Sequence, residues 1–278
     1  MSMLLVVLSL LALLPFSGPQ QAASPLPLGA PGWRLEELRR FQAPEARQGV
    51  AVDRVFFYAI TNRAIGKYRK DTGARVARWE GPVGGPIIHL NAGLVRKGQL
   101  LGVHSNYPGV PMLSSVEIFD PSTLKHVGSH SFGRMDGSFT WLDRHHDRWI
   151  ACFVHYGGTG AEPGRDSTWT QILELDDQWR RTAGWALPPE LIERFGGRGF
   201  SASGGAFGPG GLLYITGHDN AEMYVLAFPQ AGSVMRWVAT FPMPAEGQAF
   251  SFDPQYPDVL YTVLRRTNEV IVGRVHHP

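Results

Sequence analysis

Cysteine is almost missing from this chain: Cys152 is the single one in 278 residues. No intrachain disulfide can therefore form, and no C-x-x-C metal or redox pair exists. Charge is also scarce, at 18% of residues with a net charge of +2, and no run of Lys or Arg exceeds a pair. That leaves no electrostatic footprint for nucleic acid. Neither H-E-x-x-H nor G-x-S-x-G occurs. The glycine-rich stretches GPVGG (81–85) and GGRG (196–199) lack the lysine and following helix of a phosphate-binding loop. The one long apolar run covers residues 4–16, too short for a comfortable membrane span.

That run reads as a secretory signal, residues 1–23, with small residues at Ala22, Ala23 and Ser24 near the expected cut. An uncleaved N-terminal anchor is the alternative. Without a cysteine near residue 20, a lipoprotein anchor is not expected. The expected location is periplasmic or secreted, with residues 33–278 forming a single domain.

What the chain has in quantity is turn formers, 33 Gly and 21 Pro, beside 11% aromatics. This profile suits an all-β protein with many tight turns. Strand-like runs that end in polar residues recur five times: FYAITN (57–62), LLGVHSN (100–106), WIACFVHY (149–156), LYITGHDN (213–220) and LYTVLRR (260–266). Each follows a shorter strand, such as QGVAVD (48–53) or GSFTWLD (137–143), and precedes a third. A fourth strand follows in the first four units. Four antiparallel strands per unit of about 40–60 residues describe β-propeller blades. The fold expected is a five-bladed β-propeller, with a two-sheet sandwich as the lesser alternative. The fifth unit lacks an outer strand, and WRLEELRRFQA (33–43) has no unit of its own. As that missing strand it would close the ring and cover an open edge; a helical turn is the competing reading. Cys152 falls mid-strand and reads as a small buried hydrophobe.

In a blade, the start of the first strand and the end of the second meet at one face of the ring. Sorting residues by this rule gathers Gln48, Asn62 and Arg63, then His89, Asn91, His104 and Asn106. Blade three adds Ser138, His155 and Tyr156; blade four adds Ser203, His218 and Asp219; blade five adds Gln248, Arg265 and Arg266. The longest connections, 105–115, 156–168 and 186–203, lie on the same face, which is where binding sites usually form. The last is expected to hold a short helix beginning at Pro188 or Pro189 and ending at Gly196 or Gly197.

Two chemistries suit this pocket. His89, His104, His155 and His218, converging from different blades, could ligate a divalent transition metal such as Mn, Fe or Zn. Alternatively one of them, with His104 and His155 the leading candidates, acts as general base while Arg265 or Arg266 holds a carboxylate. Asn62, Arg63, Asn91, Asn106, Tyr156, Asp219 and Gln248 would orient substrate. A two-carboxylate glycosidase is disfavoured, since the face offers only Asp219 and Asp136. Asp53, Asp143 and Asp253 fall at the far face and read as turn residues.

The runs QGVAVD (48–53), TNRAIGKY (61–68), GPIIHLNAG (85–93), HSNYPGVPM (104–112) and YITGHDN (214–220) resemble a bacterial β-propeller family. The likeness spans about residues 33–275. Members carry the label "cycloisomerase" through distant similarity to propeller-type muconate-lactonising enzymes. The resemblance implies lactone formation or opening on an unsaturated organic acid and assigns no catalytic residue. A second analogy is to the propeller lyases of polysaccharide breakdown, which hold a metal on histidines in the channel. The function expected is lyase, isomerase or hydrolase chemistry on a small organic acid, lactone or sugar. No nucleotide cofactor is expected. The rival is a non-catalytic propeller module that binds a glycan or peptide.

Overall fold

The structure, a computed structural model, describes residues 28–134, 137–195 and 199–278. The signal segment, Asp136 and the helix stop at Gly196 and Gly197 lie outside the described residues.

Five four-stranded antiparallel sheets form the ring. After β1 (Arg34–Gln42), blade one runs β2 (Gly49–Val52), β3 (Phe56–Thr61), β4 (Ala64–Arg69) and β5 (Arg75–Glu80). Blade two is β6 (Leu90–Arg96), β7 (Gln99–Ser105), β8 (Ser114–Phe119) and β9 (His126–Gly133). Blade three is β10 (Ser138–His145), β11 (Arg148–Val154), β12 (Gln171–Leu175) and β13 (Arg181–Ala186). The helix α1 (Pro189–Arg194) then leads to blade four: β14 (Gly204–Phe207), β15 (Leu213–Thr216), β16 (Glu222–Ala227) and β17 (Arg236–Pro242). Blade five holds β18 (Ser251–Phe252), β19 (Val259–Leu264) and β20 (Glu269–His276). Its fourth strand is β1, paired from Arg34 opposite His276 to Gln42 opposite Glu269. The segment 34–42 is thus a strand rather than a helical turn, and the ring closes by pairing the first strand with the last.

Burial follows each strand's place in the blade. The inner strand β2 is buried at every position, whereas the outer strand β5 is mostly exposed. The core is a set of slabs between blades. Tyr58, Ile60, Leu90 and Phe119 fill the slab between blades one and two. Phe57 and Tyr68 meet Tyr261 and Val263 between blades one and five. Tyr214 and Phe241 meet Phe250 and Leu260 between blades four and five. The largest cluster, around Phe139, Trp141 and Phe153, joins blades two, three and four. Cys152 sits there fully buried, and burial pushes its thiol up to about 12. It packs as a hydrophobe and is not a nucleophile.

Small residues let the inner strands converge on the axis. A Cβ on Gly204 would come within 2.5 Å of the Gln248 carbonyl oxygen and 2.7 Å of Ala249 Cα. On Gly49 it would stand 2.8 Å from Ala249 Cβ. The axis opens in two mouths, one at the inner-strand starts and one at their ends.

Candidate active site

The mouth at the inner-strand starts holds a cavity of about 410 Å³. Gln48 and Asn62 enter it from blade one, the Gln48 amide donating to Asn62 Oδ1 at 2.6 Å. Blade two contributes His89 and Asn91, and blade three Thr140 and Tyr156. Blade four contributes Ser203 and His218, and blade five Gln248 and Arg265. Tyr107 and Phe200 reach in from the long connections of the same face.

His218 is the most elaborated group. Phe200 stacks on its ring at 3.9 Å between centroids. Its Nδ1 lies 2.8 Å from Asp219 Oδ1. A carboxylate only accepts, so Nδ1 carries the proton and Nε2 keeps a lone pair. That lone pair faces Arg265, whose Nη1 donates across 3.4 Å. Burial, then repulsion from Arg47, lowers the Arg265 pKa against the opposing pull of Asp219. A guanidinium nevertheless stays charged near neutrality.

His89 is held differently. Burial first, then repulsion from His104 and Arg265, brings its pKa down to about 4 against a hydrogen bond with Asn91. Its ring is neutral at pH 7. Tyr107 lies 5.1 Å away between ring centroids and also meets Tyr156 at 4.9 Å. Burial raises the Tyr156 hydroxyl, which stays protonated and able to donate.

Gln248 is aimed by its backbone. Its φ of 77° is a left-handed conformation that non-glycine residues rarely adopt. Gly247 precedes it because a Cβ there would lie 2.5 Å from the carbonyl oxygens of Gly217 and His218. The Gln248 side chain is buried, and its Nε2 has no hydrogen-bond partner among the described residues. An unmade donor in a cavity wall is available to a ligand. Among the described residues of the lining none is Asp or Glu, and Arg265 is the lone permanent charge.

Other expected members lie elsewhere. His104 is inside β7, paired opposite Leu90 and Ser115. Its Nε2 accepts the Ile88 N–H at 3.1 Å, so Nδ1 is protonated and donates to Ser115 Oγ at 2.9 Å. Ser115 passes the chain to Glu117 Oε1 at 2.6 Å. His155 is buried beside the loop, its Nδ1 3.4 Å from Glu162 Oε2. Asn106 folds its own loop, donating to the Pro111 carbonyl at 3.0 Å and accepting the Leu113 N–H at 2.7 Å. Arg63 donates to the Gly81 carbonyl at 2.7 Å. Arg266 and Asp219 line a rim groove with Arg47 and Glu246, and His218 and Arg265 face that groove as well. Tyr107, Thr140 and Phe200 were not anticipated; the signal for Tyr107 and Phe200 was an aromatic ring in a long loop of the site face.

Of the four histidines, His89 and His218 reach the cavity, while His104 and His155 are turned into blade and loop. Among the described residues no three His, Cys, Asp or Glu side chains are grouped to hold a metal ion.

No family model and no curated protein matches the chain. Among solved structures it is similar to the glutaminyl cyclase of Myxococcus xanthus, with a TM-score of 0.59 at 9% identity. That match covers 88% of this chain and 97% of the other. Hydrazine synthase of Kuenenia stuttgartiensis matches at a TM-score of 0.44 and 13% identity, over 79% of this chain and 68% of that one. At these identities the likeness is one of fold: the chain is a β-propeller of five blades, and its site has to be read from its own residues.

Proposed function

We propose that the axial cavity binds a small organic acid, or the lactone of one, and carries out acid–base chemistry of the lyase or isomerase class. The observation that supports this best is the charge of the wall: among its described residues, one guanidinium, Arg265, and no carboxylate. Such a wall favours an anion. Arg265 and the unpartnered Gln248 amide supply donors for a carboxylate.

The Arg265–His218 contact suggests how binding and reaction are linked. Before substrate enters, Arg265 rests against the His218 lone pair. A substrate carboxylate competes for the guanidinium with a stronger, charge-assisted bond and frees Nε2. His218 then takes a proton from the carbon beside the carbonyl or carboxylate, and Asp219 stabilises the imidazolium through Nδ1. Opening of a lactone by elimination fits this inventory. The C–H proton moves to Nε2, the C–O bond breaks, and its electron pair leaves on the new carboxylate. The substrate gives up one proton, which His218 passes on to solvent, and no water or oxidant is consumed. Neutral His89 and the Tyr156 hydroxyl offer hydrogen bonds to the developing charge. The "cycloisomerase" resemblance agrees with this chemistry and adds no residue to it.

A binding module remains the second reading, favoured by the Tyr107, Tyr156 and Phe200 rings, which suit the face of a sugar. Calorimetry with small acids, their lactones and neutral sugars, followed by product analysis, separates the two. Binding of acids with turnover that His218→Gln abolishes supports the enzyme. Tight binding of neutral sugars without turnover overturns it.

A further inference from the structure

At the other end of the axis the same five inner strands finish around a second cavity of about 260 Å³. Phe207, Phe250 and Phe252 wall it, and Arg96, Asp143 and Asp253 all line it. The turn reading holds for two of the three aspartates at this face. Asp53 Oδ1 accepts the N–H groups of Val55 and Phe56, and its Oδ2 takes the Tyr58 hydroxyl. Asp253 pairs with Lys70 at 2.5 Å and accepts the Gln255 N–H. Asp143 differs. Its Oδ2 reaches into the next blade to accept the Phe207 N–H at 2.7 Å, and its Oδ1 accepts the Arg144 N–H at 2.7 Å.

Among the described residues Asp143 has no ion-pair partner, and each of its oxygens retains a second acceptor site. Arg96 lines the same cavity. Its guanidinium makes no hydrogen bond or ion pair among the described residues, and its Nε is shielded from solvent without a partner. The two opposite charges attract, since Arg96 lowers the Asp143 pKa, yet they do not meet. Partly buried opposite charges gain most by closing into a hydrogen-bonded pair. Here the backbone bonds of Asp143 fix one of them in place, and the two stay beyond ion-pair distance.

We propose that this cavity is a second binding site, for a small zwitterion of the α-amino-acid kind with an apolar or aromatic side chain. Its carboxylate meets the Arg96 guanidinium, its ammonium meets Asp143, and its side chain packs on the three phenylalanines. The volume lies just under the range of about 300–1,000 Å³ usual for drug-sized ligands, which suits one small molecule. Gly208 keeps the aromatic wall seated, because a Cβ there would come within 2.4 Å of the Phe252 ring. Burial alone drives the Asp143 carboxyl up to about 6 despite Arg96 and the two N–H donors. A bound ammonium would offset that cost, and affinity should weaken as pH falls below 6. The site is independent of the axial cavity and of any reaction there.

The test is calorimetric titration of the full chain with phenylalanine and leucine, beside N-acetylphenylalanine and phenylalaninamide. Free amino acids are expected to bind, and each blocked form, lacking one charge, to bind about tenfold or more weaker. Arg96→Met, which removes a group without partners and should fold, is expected to reduce binding by a similar factor. Asp143→Asn is the second variant, read only where its thermal transition matches the wild type. Absence of amino-acid binding at millimolar concentration overturns the proposal. So does equal binding of the blocked forms, or undiminished binding to Arg96→Met. Organic-acid binding at Arg265 should be unchanged in Arg96→Met, so failure here and failure of the axial reading are distinguishable.

Discussion

The two mouths of the axis are opposite ends of the same five strands, yet their charged groups are arranged on different plans. At the inner-strand starts Arg265, the one guanidinium among the described residues of the cavity lining, lies against an imidazole that is itself oriented by Asp219. At the inner-strand ends Arg96 and Asp143 share a cavity without forming an ion pair, beside an Asp253 already paired with Lys70. The first arrangement can hold an anion and move a proton. The second can hold a molecule that carries both charges. A propeller thus offers two functional surfaces from one set of strands, and local side-chain chemistry rather than the fold decides what each can do.

The largest expected effect is at the first mouth. His218→Gln should lower turnover by about 10²–10⁴-fold while acid binding is largely kept, as expected for loss of a general base. Steady-state kinetics that split kcat from KM will show this, and an equal loss in KM alone would argue for a binding role. Next comes the close approach of the inner strands at Gly204. Gly204→Ala forces a Cβ against backbone atoms of Gln248 and Ala249. It should cost about 1–3 kcal/mol, measurable by thermal or denaturant unfolding.

The mouths should also answer acid with opposite signs. His89 titrates near 6.5 unfolded and about 4 folded, so the unfolded chain takes up the proton first. Its contribution to stability is complete above 6.5 and is lost as pH falls toward 4. Asp143 titrates near 3.8 unfolded and about 6 folded. The folded chain binds that proton more tightly, so acidification from 6 to 3.8 favours folding. Each slope is at most about 1.4 kcal/mol per pH unit, and in the wild type they oppose one another. His89→Gln should therefore leave a protein that gains stability relative to wild type between pH 6.5 and 4. Parallel pH profiles of the two proteins would remove this distinction. The smallest effect expected is that of a chelator: acid–base turnover at His218 should be unchanged, and a loss restored by Mn, Fe or Zn would return the metal reading.

Much of the architecture was legible because a four-strand repeat needs only apolar alternation and turn residues, and both are plain along the chain. The closing strand could be placed because the fifth unit was one strand short. The site was legible by face and less so by side chain. His104, His155 and His218 look alike as histidines near the end of a second strand. Strand β7 ends at Ser105, so His104 is still within the ladder, where side chains point into the slabs between blades. Strand β15 ends at Thr216, and His218, two residues beyond, is free to turn to the axis. His155 is one residue past β11, and Glu162 and the loop packing decide its direction. Arg265 and Arg266 are adjacent, and only the register at the end of β19 sends one inward and the other to the rim. Asp143 was read as a turn residue because its acceptor role crosses to Phe207, 64 residues away, which no local pattern can reveal.

Calorimetric titration of small carboxylic acids into wild-type protein and Arg265→Met bears most directly on the axial cavity. The charge of that wall predicts binding to the wild type that weakens with salt and falls at least about tenfold in the variant. Acid binding of equal strength in Arg265→Met, or a preference for neutral sugars in both, would contradict it.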